Sequence, residues 1–425
     1  YIAVLKKESL QAAKNSDEEI NSGKYRGPLH GIPVGVKDVI ASRGAPTTAA
    51  SKILADNVTD YDSTAVERLK QAGAILIGKM NLHEFAYGAS TEESHFGPCH
   101  NPWNTEFISG GSSGGSGASV AASICYGALG TDTGGSIRIP AAFCGIVGFK
   151  ATYGRVSRHG VIPVSWSLDH IGPMTRTVED AALMLDAIAG HDSKDPTTSK
   201  RPVTRYSDSP PVDMSKMRAG VLRKYMDECI SEESQKAVQK AIDALEGMGV
   251  KVEDLSIPNI EDTAVVTNIL MACEATTYHE DWLKTRPNDY SPTILTRLQV
   301  GYFYTATQYI KALKLRAWFR REFARAFKKV DVVLSPTCPI TPFKIGQETI
   351  DVKGVKTDPR AFLAMYTRIY DLTGLPAVTL PCGFTTDGLP IGFQIAGKPF
   401  DESTLFGVAN AYENSQPWKD RHPNI

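Results

Sequence analysis

Helix-like segments alternate with short apolar strands along this 425-residue chain. In residues 60–81 an amphipathic run is followed by Gly73 and then by the strand-like sequence Ala-Ile-Leu-Ile-Gly. The same order recurs in residues 244–256, where a helix pattern ends at Gly247 before a valine-containing strand. Alternation of this kind is typical of α/β proteins, in which helices cover a central sheet. We therefore predict an α/β fold whose covered sheet is mostly parallel or mixed.

Other segments indicate how these elements are connected. Residues 1–22 have the pattern of a helix, and residues 31–40 form a short β-branched run. Residues 192–215 are polar and proline-rich, which is typical of a surface connection. Two late apolar runs, residues 377–384 and 390–397, are separated by Thr-Thr-Asp-Gly-Leu and predict a β-hairpin.

The charge balance argues against several classes of function. The chain has 46 basic and 47 acidic residues, whereas proteins dedicated to nucleic acids or acidic membranes usually carry a basic excess. Seven cysteines without a C-x-x-C pair favour free thiols in a reducing compartment over disulfides or a zinc site. No signal peptide is visible, and the uncharged run 107–131 is too rich in Gly and Ser for a membrane span. We expect a cytoplasmic protein that contacts neither nucleic acid nor membrane.

One basic stretch has the composition of a nucleic-acid-binding segment. Eight lysines and arginines, with a single acid, lie within residues 311–329. Leu315, Phe319, Phe323 and Phe327 recur there every four residues, which is the stripe of an amphipathic helix facing a core. We interpret the basic side chains as the solvated outer face of that helix. The alternative is an RNA or partner surface, which the neutral charge of the whole chain disfavours.

Glycine and serine are concentrated between residues 109 and 148. Residues 109–117 read Ser-Gly-Gly-Ser-Ser-Gly-Gly-Ser-Gly, a helix-like run follows, and residues 131–136 read Thr-Asp-Thr-Gly-Gly-Ser. A flexible linker would not be followed at once by a helix and a second glycine turn. A phosphate loop would need a lysine, which residues 109–130 lack, and a dinucleotide fingerprint would need a preceding strand. The pattern favours acyl-transfer chemistry.

Acyl transfer requires a nucleophile, a base and hydrogen-bond donors for an oxyanion. Ser112 lies in a Gly-x-Ser-x-Gly sequence, the nucleophile elbow of α/β-hydrolases, although a glycine-serine run also meets this pattern by chance. The amides of residues 133–136 can converge on one oxygen because the glycines permit a tight turn. Nine scattered histidines allow a Ser-His-Asp triad, whereas Lys37 would become a base if burial lowered its pKa. Asp38 beside it allows a simple surface ion pair instead.

Three sequence blocks resemble the amidase signature family closely. They are GIPVGVKD (31–38), GGSSGGSGASVAA (110–122) and GTDTGGSIRIPAAFCGIVGFKATYGRVS (130–157). Further blocks at residues 78–88, 167–185, 331–339 and 374–397 extend the resemblance over nearly the whole chain, in the right order. The resemblance implies an amidase, a hydrolase of non-peptide carbon–nitrogen bonds that uses no cofactor and no metal.

The same resemblance implies a Ser–Ser–Lys triad. Lys37 matches the family's basic lysine, Ser112 its bridging serine on a cis peptide bond, and Ser136 its acyl-forming nucleophile. This assignment makes Ser112 the proton relay and not the nucleophile, despite its Gly-x-Ser-x-Gly context.

Further residues are assigned roles around this triad. The expected oxyanion hole consists of the amides of Thr133, Gly134, Gly135 and Ser136. The residues expected to brace their loop are Asp132 and Arg138. The expected substrate contacts are Tyr87, Gly111, Trp166 and Tyr366.

The resemblance also implies the amidase signature fold, a large mixed β-sheet covered by helices on both faces. We expect one domain over residues 1–425. Its parts would be a catalytic core over about 24–190, a helical substrate-pocket region over about 215–330, and C-terminal strands over about 331–425 that return to the core sheet.

Two departures bear on which amidase this is. The family's branch of tRNA-dependent amidotransferase subunits usually has Thr-Pro-Val-Asn before the last Gly-Leu-Pro, where this chain has Arg368-Ile369-Tyr370-Asp371. An acidic glutamine-binding position of that branch corresponds here to Ala364. We therefore expect a free-standing monomer or homodimer acting on a less polar small-molecule amide, such as an aryl amide or a carbamate (urethane). The alternative is the glutaminase subunit of a tRNA-dependent amidotransferase, active only with partner subunits.

Overall fold

Helices and strands alternate as the sequence predicts, in a computed structural model that describes residues 1–227 and 230–424. The strands are β1 (Ala3–Val4), β2 (Pro33–Lys37), β3 (Ile75–Met80), β4 (His100–Asn101), β5 (Asn104–Ile108), β6 (Gly127–Asp132), β7 (Val147–Lys150), β8 (His170–Thr175), β9 (Arg218–Val221), β10 (Lys251–Asp254), β11 (Val332–Pro336), β12 (Ile350–Val352), β13 (Val355–Thr357), β14 (Ala377–Phe384) and β15 (Pro390–Ala396). The helices are α1 (Lys6–Asn21), α2 (Thr64–Gln71), α3 (Gly114–Ala121), α4 (Arg138–Cys144), α5 (Val178–Ile188), α6 (Arg223–Asp227), α7 (Glu232–Gly247), α8 (Asp262–Thr285), α9 (Pro292–Gln299), α10 (Ala306–Ala326), α11 (Arg368–Thr373) and α12 (Glu402–Asn414).

An 11-stranded mixed sheet runs through the described part of the chain, in the order β1-β3-β2-β6-β8-β7-β14-β15-β11-β9-β10. Strands β2, β3 and β6 are parallel, as are β9, β10 and β11, whereas the central pairs are antiparallel. Every residue of β6, β7, β8 and β15 is buried, so both faces of these strands are covered. A strand buried on both faces needs a layer on each side. The predicted fold class, a mixed sheet with helices on both faces, is confirmed.

The helix–strand unit of residues 60–81 forms as predicted. Helix α2 begins after Ser63, whose hydroxyl accepts a hydrogen bond from the amide of Val66 at 3.3 Å. Arg68 and Lys70 lie in its last turn, where cations complement the helix dipole. The chain then turns at Gly73 and enters β3, which pairs in parallel with β2. The predicted hairpin is also present, because β14 and β15 pair in antiparallel register from Ala377–Ala396 to Phe384–Pro390.

The first residues differ from the predicted helix over 1–22. Ala3 and Val4 pair antiparallel with β3 before α1 begins at Lys6. The amide of Ile2 donates to the carbonyl of Lys79 at 2.8 Å, so β1 covers the open edge of β3. An unpaired strand edge is a strong template for pairing, and here it outweighs the local helix pattern.

The polar connection over residues 192–215 is anchored more firmly than its composition suggests. Asp192 is buried and accepts hydrogen bonds from the hydroxyls of Thr64 and Ser157, each at 2.6 Å. The hydroxyl of Thr198 donates to the carbonyls of Asp192 and Asp195. Asn, Asp, Ser and Thr side chains can tie a loop to itself in this way, so a polar sequence need not be a mobile one.

Most of the basic stretch within residues 311–329 lies on α10, as predicted, and Lys328 and Lys329 follow the end of this helix at Ala326. The predicted stripe is wrong at Leu315. Leu315 is 42% exposed, whereas Arg316, Phe319 and Phe323 are buried. The buried positions follow spacings of three and four because an α-helix has 3.6 residues per turn, and a strict four-residue spacing drifts off the face. Arg316 turns inward and donates to the carbonyls of Leu372 and Ser167, so it is part of the packing and not of a solvated face.

Helices α8, α9 and α10 form a helical layer in which α8 packs against both of the others, and α8 also packs against α11. Glu274 on α8 is buried and accepts hydrogen bonds from the hydroxyls of Ser165, Ser167 and Tyr309. This carboxylate therefore joins the helical layer to the loop before β8. No helix among the described residues is long and apolar enough to cross a bilayer. The six described cysteines are free thiols, and Cys229 lies outside the described residues.

Candidate active site

Lys37 and the end of β6 meet at one edge of the sheet. Lys37 is the last residue of β2, and β2 pairs in parallel with β6, which ends at Asp132. The carboxyl ends of adjacent parallel strands lie at the same edge, so these residues become neighbours although 94 positions separate Lys37 from Thr131. Lys37 Nζ lies 2.8 Å from Thr131 Oγ1 and 2.7 Å from Ser112 Oγ. Lys37 and Ser112 are therefore in direct contact.

The glycine–serine segment packs tightly against the backbone around it. The Gly111–Ser112 peptide bond is cis. A Cβ atom added at Gly111 would lie 2.8 Å from the amide nitrogen of Ser90, so no larger residue fits there. The hydroxyl of Ser113 donates to the carbonyl of Thr131, and that of Ser116 to the carbonyl of Leu129. These two serines bind backbone groups and hold the segment against β6.

Ser136 lies in a turn shaped by the carboxylate of Asp132. Asp132 accepts hydrogen bonds from the amides of Gly135 at 2.5 Å and Ile137 at 3.1 Å. The carbonyl of Ser136 accepts from the amide of Ser113 at 3.2 Å, which ties this turn to the glycine–serine segment. Ser136 is 8% exposed, whereas Ser112 is fully buried. Ser136 is therefore the serine that a molecule in the adjoining cavity can contact.

Arg138 is fully buried and binds two carboxylates. Its guanidinium contacts Asp132 at 3.0 Å and Asp371 at 2.6 Å, and it donates to the carbonyl of Thr367 and the side chain of Gln394. Burial opposes the charge on Asp132, but the guanidinium outweighs it and holds the pKa of Asp132 well below its usual range. Burial and the charge on Asp132 together raise the pKa of Asp371 well above its usual range. One cation shared by two carboxylates favours ionisation of only one of them.

Lys37 has no carboxylate in contact with it among the described residues. Burial lowers its pKa to about 7, although the charges of Asp132 and Asp169 act in the opposite direction. An amine with such a pKa is largely neutral at slightly alkaline pH, and a neutral amine can accept a proton. The burial that the sequence could only suggest therefore favours the neutral form of Lys37, which can accept a proton.

Asp169 is a member of this site that the sequence did not single out. Its carboxylate accepts from the hydroxyl of Thr133 at 2.6 Å and from the amides of Val164 and Ser165. Burial raises its pKa to about 6, against the effect of these hydrogen bonds. Asp169 lies within the family-like block of residues 167–185, but no spacing rule identifies it as a site residue. Its contact with Thr133 comes from the pairing of β6 with β8.

A cavity of about 320 Å³ opens beside Ser136, and we call it the Ser136 cavity. Thr133, Gly134 and Ser136 line one side. The remaining walls comprise residues 86–89, Ile139, Asn268, Met271, Ala272, Val300, Tyr304, Ala361, Ala364 and three arginines, Arg297, Arg360 and Arg368. These arginines belong to different elements, so no local motif predicts that they meet. The sequence predicts a less polar substrate, and the charged side chains of these three arginines do not follow from that prediction.

The four residues predicted to contact substrate do not lie together in the structure. Tyr87 lines the Ser136 cavity, and burial raises its pKa to about 12. Gly111 packs against the backbone of Ala89 and Ser90 and does not line this cavity. Trp166 lines two other cavities, one of them together with Arg158. Tyr366 is fully buried, and its hydroxyl donates to the carbonyl of Met226. The structure therefore brings only Tyr87 of these four residues into the lining of the Ser136 cavity. Within the described residues, no group of three His, Cys, Asp or Glu side chains is arranged to hold a metal ion.

Comparison with known proteins places this architecture among characterised families. The family described as Amidase matches residues 1–406. The A subunit of glutamyl-tRNA(Gln) amidotransferase from Thermosynechococcus vestitus is 41% identical over 454 residues, which cover 100% of this chain and 92% of that protein. The corresponding protein of Carboxydothermus hydrogenoformans, which has the same name, is 42% identical over 450 residues, covering 100% and 91%.

Solved structures share the fold. One, from work on a vestigial protein complex and the origins of an s-triazine catabolic enzyme, has a TM-score of 0.93 and 33% identity and covers 100% of this chain and 92% of its own. A bacterial aryl acylamidase of the amidase signature family has a TM-score of 0.89 and 26% identity, covering 98% and 89%.

Proposed function

This chain belongs to the amidase family, and on that premise we propose that it hydrolyses the carbon–nitrogen bond of an amide through a serine acyl-enzyme. The observation that carries the proposal is the contact of Lys37 with Ser112. It joins a buried lysine with a lowered pKa to the glycine–serine segment, which in turn is bound to the turn of Ser136.

In the proposed reaction Ser136 is the nucleophile. Neutral Lys37 takes a proton from Ser112 as Ser112 takes one from Ser136, and the Ser136 oxygen forms a bond to the amide carbon. The backbone amides of Thr133, Gly134 and Ser136 donate to the oxyanion that develops on the carbonyl oxygen. The amide of Gly135, which was expected from the sequence to be a further donor, is instead bound to Asp132. Ser112 then gives a proton to the amide nitrogen and regains one from Lys37, the carbon–nitrogen bond breaks and the amine leaves. Water, deprotonated by the same relay, releases the acid and restores Ser136.

Asp132 and Arg138 support this chemistry without touching substrate. Asp132 accepts from two amides of the Ser136 turn, and Arg138 fixes Asp132 in place. Preorganised donors stabilise a transition state because they need no reorientation as its charge develops. We assign both residues a positioning role.

Active-site labelling tests which serine is the nucleophile. A fluorophosphonate probe should label Ser136, and Ser136→Ala should abolish the label and lower kcat/KM by about 1000-fold or more. Ser116→Ala is a matched control, because Ser116 lies in the same segment but binds the carbonyl of Leu129. A label that persists in Ser136→Ala and maps to Ser112 would refute the mechanism.

Two biological roles are compatible with this chemistry. The curated relatives, which are 41% and 42% identical over the whole chain, favour the glutaminase subunit of a tRNA-dependent amidotransferase. The lining of the Ser136 cavity favours a stand-alone hydrolase of small amides instead. Glutamine carries an ammonium group, and no carboxylate among the described lining residues is available to receive it.

The two roles differ in what the isolated chain can do. Hydrolysis of small amides by the purified chain alone would support the stand-alone role. Glutamine hydrolysis that appears only after addition of amidotransferase partner subunits and tRNA would support the other. An aryl amide or carbamate should be included among the substrates, because the Ser136 cavity also has apolar wall residues such as Met271 and Val300.

A further inference from the structure

The walls of the Ser136 cavity carry an unbalanced positive charge. Arg297, Arg360 and Arg368 line it, and none of the described residues in its lining is an aspartate or a glutamate. A site whose charged lining residues are all cations selects for anions, because a guanidinium binds carboxylates through paired N–H groups.

The charge of Arg360 is compensated just outside the cavity. Its Nε and Nη2 donate to the two oxygens of Glu92 at 2.8 and 2.7 Å, and its Nη1 contacts Asp358 at 3.2 Å. This bidentate pair leaves Arg360 as a wall of the cavity and a weak candidate for binding a second anion.

Arg297 and Arg368 have no such partner. Within the described part of the chain, neither guanidinium has a carboxylate within 4.0 Å, and the hydrogen bonds they make go to neutral oxygens. Arg297 donates to the carbonyl of Tyr87 at 2.7 Å, and Arg368 to the carbonyl of Ala364 and the side chain of Asn268. These bonds orient both side chains and use only part of their five donors. Both arginines are half-buried, where an unpaired charge is unfavourable without a counter-ion.

Arg368 is adjacent to the proposed acyl site. The hydroxyl of Thr367, the preceding residue, donates to the carbonyl of Gly134 at 2.6 Å. A Cβ atom built on Gly134 would lie 3.9 Å from the Cβ of Arg368, so the stem of the arginine runs beside the turn that ends in Ser136. An anion on Arg368 would therefore lie in the same cavity as the reacting carbonyl.

We propose that Arg297 and Arg368 form an anion subsite, and that the substrate is a small amide that carries a carboxylate and no ammonium group. This inference rests on the proposed amide hydrolysis and adds its substrate class. Arg368 occupies a position at which the amidotransferase-like sequences usually have threonine, so this half of the subsite distinguishes the chain from that branch.

Three amides of matched length test the proposal. Glutaramate has the carboxylate alone, glutamine has the carboxylate and an ammonium group, and pentanamide has neither. For the purified full chain we expect kcat/KM for glutaramate to exceed that for each of the others by about 10- to 100-fold, the usual effect of charge-assisted hydrogen bonds. Arg368→Gln should reduce the glutaramate-to-pentanamide ratio by about 10-fold or more. Arg325→Gln, a surface arginine paired with Glu322, should leave the ratio unchanged.

Binding to the Ser136→Ala variant separates this inference from the catalytic proposal. Calorimetry on that variant should give a lower Kd for glutaramate than for pentanamide or glutamine, and Arg368→Gln in the same background should remove the difference. Equal Kd values for glutaramate and pentanamide, or tighter binding of glutamine, would overturn the anion subsite even if Ser136 is labelled and amides are hydrolysed. Selective binding of glutaramate without labelling or turnover would instead overturn the proposed function and retain the subsite.

Discussion

The lowered pKa of Lys37 predicts a pH dependence of the reaction that can be calculated. The amine must be neutral to accept a proton, so activity should rise with pH and reach half its maximum at about pH 7. At pH 5, two units lower, only about one molecule in 100 would have the neutral amine. An exposed lysine, with a pKa of about 10.4, would be neutral in only about one molecule in 2500 at pH 7. Burial of Lys37 therefore raises the reactive fraction at pH 7 by about three orders of magnitude.

The measurement is kcat/KM for one small amide between pH 5 and 9, together with the rate of fluorophosphonate labelling over the same range. The labelling rate does not depend on departure of an amine, so agreement of the two profiles assigns the ionisation to activation of Ser136. Lys37→Met should abolish both rates, whereas Lys344→Met, which changes an exposed lysine, should leave both profiles in place.

A second variant tests the sign of the electrostatic argument. The carboxylate of Asp169 favours the charged form of Lys37, so its loss in Asp169→Asn should move the midpoint of the profile to lower pH. A flat profile between pH 5 and 9, a midpoint near pH 10, or an unchanged profile in Lys37→Met would refute the assignment of Lys37 as the base.

Three further predictions concern the framework of the site. Arg138→Met should lower the free energy of unfolding by about 3–5 kcal/mol, measured by urea denaturation, because it leaves a buried carboxylate without its cation. An unchanged denaturation midpoint would show that Arg138 does not stabilise the buried carboxylates that it contacts. Gly135→Ala should lower the free energy of unfolding by about 2–4 kcal/mol more than Gly346→Ala does. Both glycines have a positive φ, but only a Cβ atom at residue 135 would meet a side chain, at 2.2 Å. Equal losses of stability in the two variants would show that the turn of Ser136 can relax. Glu274→Gln should lower Tm, because four donors converge on that carboxylate. Retention of the wild-type Tm would argue against its role in joining the helical layer to the loop before β8.

The sequence alone predicts the local elements of this protein well. The unit α2–Gly73–β3 and the hairpin of β14 and β15 follow from apolar periodicity and turn residues, which act over a few neighbouring positions. The predicted stripe on α10 is wrong at Leu315 because a spacing of four only approximates the helical period. The N-terminal strand β1 escapes prediction because its partner, the edge of β3, lies more than 70 residues away.

Some residues of the candidate site can be identified from the sequence and others cannot. Lys37, Ser112 and Ser136 can be named from the sequence because each lies in a distinctive local block. Arg297, Arg360 and Asp169 cannot, because each is unremarkable among its neighbours in the chain and becomes part of the site through packing. The sequence shows that Arg368 differs from the residue usual in the amidotransferase branch. It does not show that this side chain lines the Ser136 cavity.

The sequence by itself therefore determined the α/β class, the family resemblance and the blocks that carry the expected triad, since these depend on residue type and short-range order. Only the tertiary structure decided the chemical state of those residues and the character of the cavity. The pKa of Lys37 depends on the loss of solvent around its amine, and the charge of the Ser136 cavity depends on arginines that distant elements bring together. The desolvation of Lys37 and the convergence of the arginines are properties of three-dimensional packing. For this protein they replace the less polar amide expected from the sequence with an anionic amide as the proposed substrate.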